Sequence, residues 1–168
     1  MKFKLVPEAP AQLDFVADAQ RAVPLVPGTE DDCCARLMRR LDFESRDVAR
    51  TWLTFLRAVE LADETDDGSF VRRETDPTEV HLTDAFERRV YGASDVLALL
   101  DDDPKTVEDV FEGFEDRVPV WEHHRAAENW RDVWTERVGR ILDWAVLLDL
   151  AERRDGGYVA ADTPDADR

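Results

Sequence analysis

The sequence predicts a mainly helical fold with two small β-hairpins, arranged as two similar units in tandem joined by an extra helix. Three observations predict it. A segment over 44–61 carries Val48, Ala49, Trp52, Leu53, Leu56 and Val59 at helical spacing, so one face is apolar and the other polar. That segment runs into ADETDDGSFVRRE, where Asp67-Gly68 is a hairpin turn signal and 69–73 can return as a strand. The same succession then recurs at an offset of 89, with Ala49, Leu53, Val59, Leu61 and Ala62 meeting Val138, Leu142, Leu148, Leu150 and Ala151. One deletion later, Gly68-Ser69-Phe70-Val71 meets Gly156-Gly157-Tyr158-Val159.

In chain order, alternating Phe3 and Leu5 suggest a short strand over 2–6, and helical patterns follow over 11–23, 29–41 and 44–61. The stretch from Pro24 to Gly28 breaks the first two helices apart. The acidic run Glu30-Asp31-Asp32 after Thr29 suits a helix start, because a hydroxyl cap and negative charge both satisfy a helix N-terminus. Ser45 is the expected cap of the third helix. Residues 74–83 (ETDPTEVHLT) read as linker, and 84–100 as an extra helix carrying Phe86, Val90, Val96, Leu97 and Leu100. Helices over 106–118 and 120–130 open the second unit, punctuated by Pro104 and Pro119. The expected division is therefore a first unit over 1–75, a linker and connecting helix over 76–100, a second unit over 101–160, and a disordered tail over 161–168.

Composition narrows the class. The chain has 39 acidic residues against 22 basic, a net charge of -17, yet five Trp and eight Phe oppose disorder, since disordered acidic chains are poor in aromatics. Only Lys2, Lys4 and Lys105 are lysines, and Asp outnumbers Glu by 24 to 15. This pattern reads as a halophile's acidic surface, whose self-repulsion is tolerable where concentrated salt shortens the Debye length to about 3 Å. Adjacent Cys33 and Cys34 diverge by about 100° on a helix and suit a reducing compartment rather than a mutual disulfide. No run approaches the roughly 20 apolar residues of a membrane span, and MKFKLVPEAP lacks a signal peptide's apolar core, so a cytoplasmic protein with no membrane partner is expected.

Helix, short turn, longer helix and hairpin, in that order over 11–74, resemble a winged helix-turn-helix, and the tandem arrangement resembles haloarchaeal winged-helix proteins. The resemblance implies that the side of the third helix opposite its apolar face enters the major groove. That side carries Arg46, Arg50, Thr54 and Arg57 beyond Ser45, and arginine reads guanine in a bidentate manner. Arg72 and Arg73 on the wing would contact phosphate or the minor groove. These seven residues are the expected contacts to double-stranded DNA of a transcription regulator. The competing reading is a set of surface arginines paired with Asp42, Glu44, Asp47 and Glu74, on a tandem winged-helix adaptor that touches only protein. Net acidity weakens as an objection to DNA at molar salt. About six phosphate contacts lose roughly seven decades of affinity over a twentyfold rise in salt, leaving base contacts and shape to decide.

The second unit reads differently at the same positions. The offset puts Thr135, Gly139, Asp143 and Val146 where the first unit has Arg46, Arg50, Thr54 and Arg57. Asp143 would repel phosphate, and Val146 and Leu147 add apolar surface, so this unit is expected to serve a homodimer or a protein partner. Trp121 and Trp130 belong to an aromatic group of helical spacing, which reads as core or interface and not as a base-stacking platform.

No catalytic constellation, metal site or cofactor is expected. His123-His124 and Cys33-Cys34 lack the paired spacing of zinc ligands, and Asp101-Asp102-Asp103 lacks the spaced oxygens and Gly of a calcium loop. There is no Gly-rich phosphate loop and no nucleophile beside a placed base.

Overall fold

The computed structural model describes residues 3–125 and 128–161, and the chain forms two compact units, Met1–Tyr91 and Gly92–Arg168. In the first, α1 (Asp14–Ala22), α2 (Glu30–Leu41) and α3 (Arg46–Ala58) are followed by the hairpin β1 (Ala62–Glu64) and β2 (Phe70–Arg72), then by α4 (Glu79–Arg89). The cap chemistry acts as the sequence implies. Thr29 Oγ1 accepts from the Asp32 amide at 3.1 Å to start α2, and Ser45 Oγ accepts from the Val48 amide at 3.3 Å to start α3. The apolar face of α3 buries Ala49, Trp52, Leu53 and Leu56 against Val16 and Ala19 of α1 and Leu37 of α2. Trp52 anchors the cluster, with the Phe15, Phe43 and Phe55 rings 5.2, 5.9 and 6.0 Å from its own.

β1 and β2 pair antiparallel, with Ala62 opposite Arg72 and Glu64 opposite Phe70. A third backbone segment joins them just before α2. Gly28 and Phe70 exchange hydrogen bonds of 2.9 and 2.8 Å, which tie the hairpin to the start of that helix.

The second unit comprises α5 (Ala93–Ala98), α6 (Val107–Phe114), a 3-10 turn (Glu115–Arg117), α7 (Val120–Arg125), α8 (Trp130–Leu147), and the hairpin β3 (Ala151–Arg154) and β4 (Gly157–Ala160). A reciprocal capping box of Thr106 and Asp109 starts α6. Trp134, Val138, Ile141, Leu142 and Trp144 of α8 are buried with Phe111 and Phe114 of α6. Lys105 and Tyr158 exchange hydrogen bonds of 3.0 and 2.8 Å, the counterpart of Gly28 and Phe70.

The repeat extends to individual main-chain bonds. At the end of α3, Leu61 N donates to Leu56 O at 2.8 Å and Val59 N to Phe55 O at 2.9 Å, around Glu60 at φ 62°. At the end of α8, Leu150 N donates to Ala145 O at 2.8 Å and Leu148 N to Trp144 O at 2.9 Å, around Asp149 at φ 58°. Every number differs by 89 between the two sets. Both are Schellman closures, in which a left-handed residue lets the chain turn back and satisfy the last carbonyls of the helix.

Several expectations need correction. The strand over 2–6 reduces, among its described residues, to one bridge in which Phe3 N donates to Arg89 O at 2.7 Å and Tyr91 N to Phe3 O at 2.7 Å. That bridge pulls Val90 into extended backbone and ends α4. The single connecting helix over 84–100 is therefore two helices, α4 and α5, broken at Val90–Gly92, and Gly92 at φ 86° could not continue a helix. Thr78 Oγ1 accepts from the His81 amide at 3.1 Å, so α4 begins inside the segment read as linker. The material between the units is thereby divided, with α4 in Met1–Tyr91 and α5 in Gly92–Arg168. The helix over 120–130 is α7 and the first residue of α8, with 126–127 outside the described residues. All but the first residue of the tail over 161–168 also lies outside them. Among the described residues, no helix is long and apolar enough to cross a membrane.

Candidate functional site

The solvent side of α3 holds the residues singled out in the first unit, and each meets a different environment. Arg46 pairs with Asp31 and lies 3.6 Å from Glu30, both in the first turn of α2, with 52% of its side chain exposed. Arg50, one turn on, is exposed and has no ion pair among the described residues. Thr54 is half-buried. Arg57 is drawn inward, 26% exposed, its guanidinium 5.2 Å above the Phe3 ring and 3.1 Å from Glu64 of β1. Ser45 is occupied as the cap.

The hairpin is not a basic wing. Arg72 and Arg73 sit at its foot, where β2 pairs with Ala62, and not at its tip. Arg73 lies 3.6 Å from Glu60 and 3.3 Å from Asp63. The tip is Thr65-Asp66-Asp67-Gly68. There Asp67 accepts from the Thr65 hydroxyl and, at 3.2 Å, from the Ser69 amide, and these bonds hold its carboxyl below the usual range. Carboxylates meet the arginines of α3 at both of its ends, Glu30 and Asp31 of α2 at Arg46 and Glu64 of the hairpin at Arg57, and the hairpin tip carries Asp66 and Asp67.

A second group of arginines gathers elsewhere, at the end of α1. Arg36 Nε donates to Ala22 O at 2.8 Å, and Arg40 Nη1 to Arg21 O at 3.0 Å. Arg72 Nε and Nη2 donate to Val23 O and Arg21 O at 2.8 and 2.7 Å. Residue spacing could not reveal this group. Arg72 is 51 residues from Arg21, and only the fold brings the end of β2 onto the end of α1.

In the second unit, Asp143 occupies the position equivalent to Thr54 and is engaged from the hairpin. Tyr158 Oη and Arg153 Nη2 both donate to its Oδ1 at 2.6 Å. Burial, then the Asp143 hydrogen bond, push the Tyr158 phenol above its usual value. Val146 and Leu147 are half-buried. Trp130 is half-buried too, stacked 3.8 Å from the His123 ring and 4.7 Å beneath the Arg131 guanidinium. Trp121, by contrast, is 51% exposed beside Val120 at 69%, so α7 presents the unit's largest exposed apolar side chains among the described residues. The four residues expected at an interface therefore do not form one exposed patch. No group of three potential metal ligands occurs among the described residues.

Two units, with three helices leading into the hairpin in the first and four in the second, and in each a return strand that bonds back to the segment before its second helix, define a tandem winged-helix protein. The chain belongs to the halobacterial double winged helix domain family, whose model matches residues 1–165. No curated protein and no solved structure matches it.

Proposed function

We propose that the chain is a tandem winged-helix adaptor that engages protein partners, and that its first unit does not use α3 to read DNA. The observation that carries this reading is that two of the three arginines of α3 are neutralised. Arg46 and Arg57 are paired with carboxylates, and acidic side chains stand where a winged helix would meet phosphate on either side. Molar salt screens charges more than a few ångströms apart, but a duplex seated on α3 would bring phosphates into contact with Asp31 and Asp67, where screening is least effective. Partner binding is assigned to α7 of the second unit, because an exposed Trp beside an exposed Val is the kind of anchor that dominates protein interfaces.

Specific contact with double-stranded DNA is the second reading, favoured by Arg50 and Thr54 on the outer side of a continuous α3. Exposed ion pairs such as Arg46 with Asp31 are worth only about 0–1 kcal/mol and could be exchanged for phosphate. Fluorescence polarisation with a pool of short duplexes in molar KCl separates the two. The adaptor reading expects no retention, together with a partner cross-linked in a high-salt lysate that Trp121→Glu abolishes. Sequence-dependent retention lost in Arg50→Ala would replace it with the DNA reading.

A further inference from the structure

We propose that the arginine cluster at the end of α1, formed by Arg21, Arg36, Arg40 and Arg72, is a site for a phosphoryl group. This inference does not depend on the adaptor reading. Three guanidinium groups, those of Arg36 and Arg40 on α2 and Arg72 on β2, converge on three consecutive carbonyls, those of Arg21, Ala22 and Val23, and the charge of Arg21 itself acts on Arg72. Arg40 and Arg72 share the Arg21 carbonyl, at 3.0 and 2.7 Å, so their charges face each other at close range. Of these four arginines, only Arg21 has a carboxylate partner among the described residues, Asp18.

Helix capping does not account for so much charge. A helix C-terminus carries about half an elementary negative charge, enough to favour one nearby cation. Four cations less Asp18 leave three positive charges around that half charge, in a chain whose net charge is -17. The mutual repulsion is felt at Arg72, whose proton affinity is lowered by burial first and then by Arg36, Arg40 and Arg21, with only Glu74 acting the other way. An anion docked there would offset this repulsion.

The donors also suit a phosphoryl group in shape. Each of Arg36, Arg40 and Arg72 spends one or two N–H groups on carbonyls, which fixes its plane and leaves other donors of the fork unspent. A carboxylate occupies one fork, whereas a tetrahedral dianion accepts from several forks arriving from different elements. Since the side chains are already held by the backbone, little further ordering is needed on binding. Beside Arg21 and Arg72 lies a cleft of about 510 Å3, lined also by Gln20 and Leu25 and by the carboxylates of Glu74 and Asp76, with room for the body of a phosphorylated small molecule. The same chemistry would hold one phosphate of a nucleic-acid backbone.

The test uses the full chain in molar KCl, following the arginine side-chain Nε–H resonances by NMR during titration with inorganic pyrophosphate and, separately, with a short DNA duplex. Saturable shifts at Arg36 and Arg72 are expected, with Arg50 unmoved. Pyrophosphate binding should weaken by about tenfold or more in Arg36→Gln/Arg40→Gln and stay unchanged in Arg50→Gln. A response to pyrophosphate assigns the site to a small phosphorylated ligand, and a response to the duplex alone assigns it to a nucleic-acid backbone; both uphold the phosphoryl site. Absence of saturable shifts at Arg36 and Arg72 with either probe in the unmutated chain overturns it, whether or not the double variant folds.

Discussion

Glu60 offers the sharpest test of what holds the hairpin of the first unit in place. It sits at φ 62°, closes α3, and pairs with Arg88, with Arg73 at 3.6 Å and with Arg89 at 3.7 Å. One carboxylate thus ties the end of α3 to the residue that follows β2 and to α4. Asp149 is its equivalent at φ 58°, exposed and without an ion pair among the described residues, so it shares the backbone demand but not the network. Exposed pairs contribute about 0.2–1 kcal/mol each, and three partners around a side chain 23% exposed bring Glu60→Ala to a loss of about 1–2 kcal/mol beyond that of Asp149→Ala. The assay is native-state hydrogen exchange at the Leu61 and Leu150 amides, which make equivalent 2.8 Å bonds. Leu61 should exchange about 5- to 30-fold faster in Glu60→Ala, over and above the change at Leu150 in Asp149→Ala. Equal effects at the two sites would refute the network and leave backbone strain as the whole cost. The pH dependence has a definite sign. The Arg88 hydrogen bond foremost, then the charges of Arg88, Arg89 and Arg73, lower the Glu60 pKa. Its contribution is therefore complete above the ordinary glutamate value of about 4.3 and is lost as pH falls through the lower folded value.

Three further outcomes are expected. Gly92→Ala should destabilise the second unit by about 1–3 kcal/mol, since an L residue is strained at φ 86° and its Cβ would lie 2.8 Å from the Phe114 ring; a thermal melt with an unchanged midpoint would contradict this. Cys33 and Cys34 are buried, and burial foremost raises both thiol pKa values, so alkylation at neutral pH should be slow in the native chain and fast once it is unfolded. Tyr158 should ionise above the ordinary phenol range by ultraviolet titration. Because its folded pKa is raised, the associated stability is present below the unfolded value of about 10 and is lost as pH rises through the folded one; Tyr158→Phe should abolish that dependence.

What was legible in the sequence is what depends on neighbours along the chain. Thr29 and Ser45 announce helix starts because a cap acts within three residues, and the stripe from Ala49 to Leu56 announces its buried face because helical periodicity is local. The 89-residue offset reached the right register because Leu61 with Ala62, and Leu150 with Ala151, follow the same closure. The break between α4 and α5 was hidden, since it depends on Phe3 bonding to Arg89 and Tyr91 from far up the chain. The same limit applies to the candidate sites. Periodicity places Arg46 and Arg57 on the outer side of α3, but their partners Asp31 and Glu64 come from other elements. Arg72, read as a wing residue, reaches the end of α1 because the strand that carries it folds back to Pro24.

The matched closures of α3 and α8 carry a consequence for how freely the two surfaces can differ. In both units the turn from long helix to hairpin is stitched by amide and carbonyl groups, which every residue type except proline supplies in full. Outer-face side chains that make no contact with the hairpin are consequently spared from fastening this turn, so one copy can display Arg50 where the other has Gly139 without altering the chain path. A turn fastened through its main chain leaves part of the exterior open to specialise, and Gly139→Arg should carry the surface charge of Arg50 to the second unit while preserving the hairpin register.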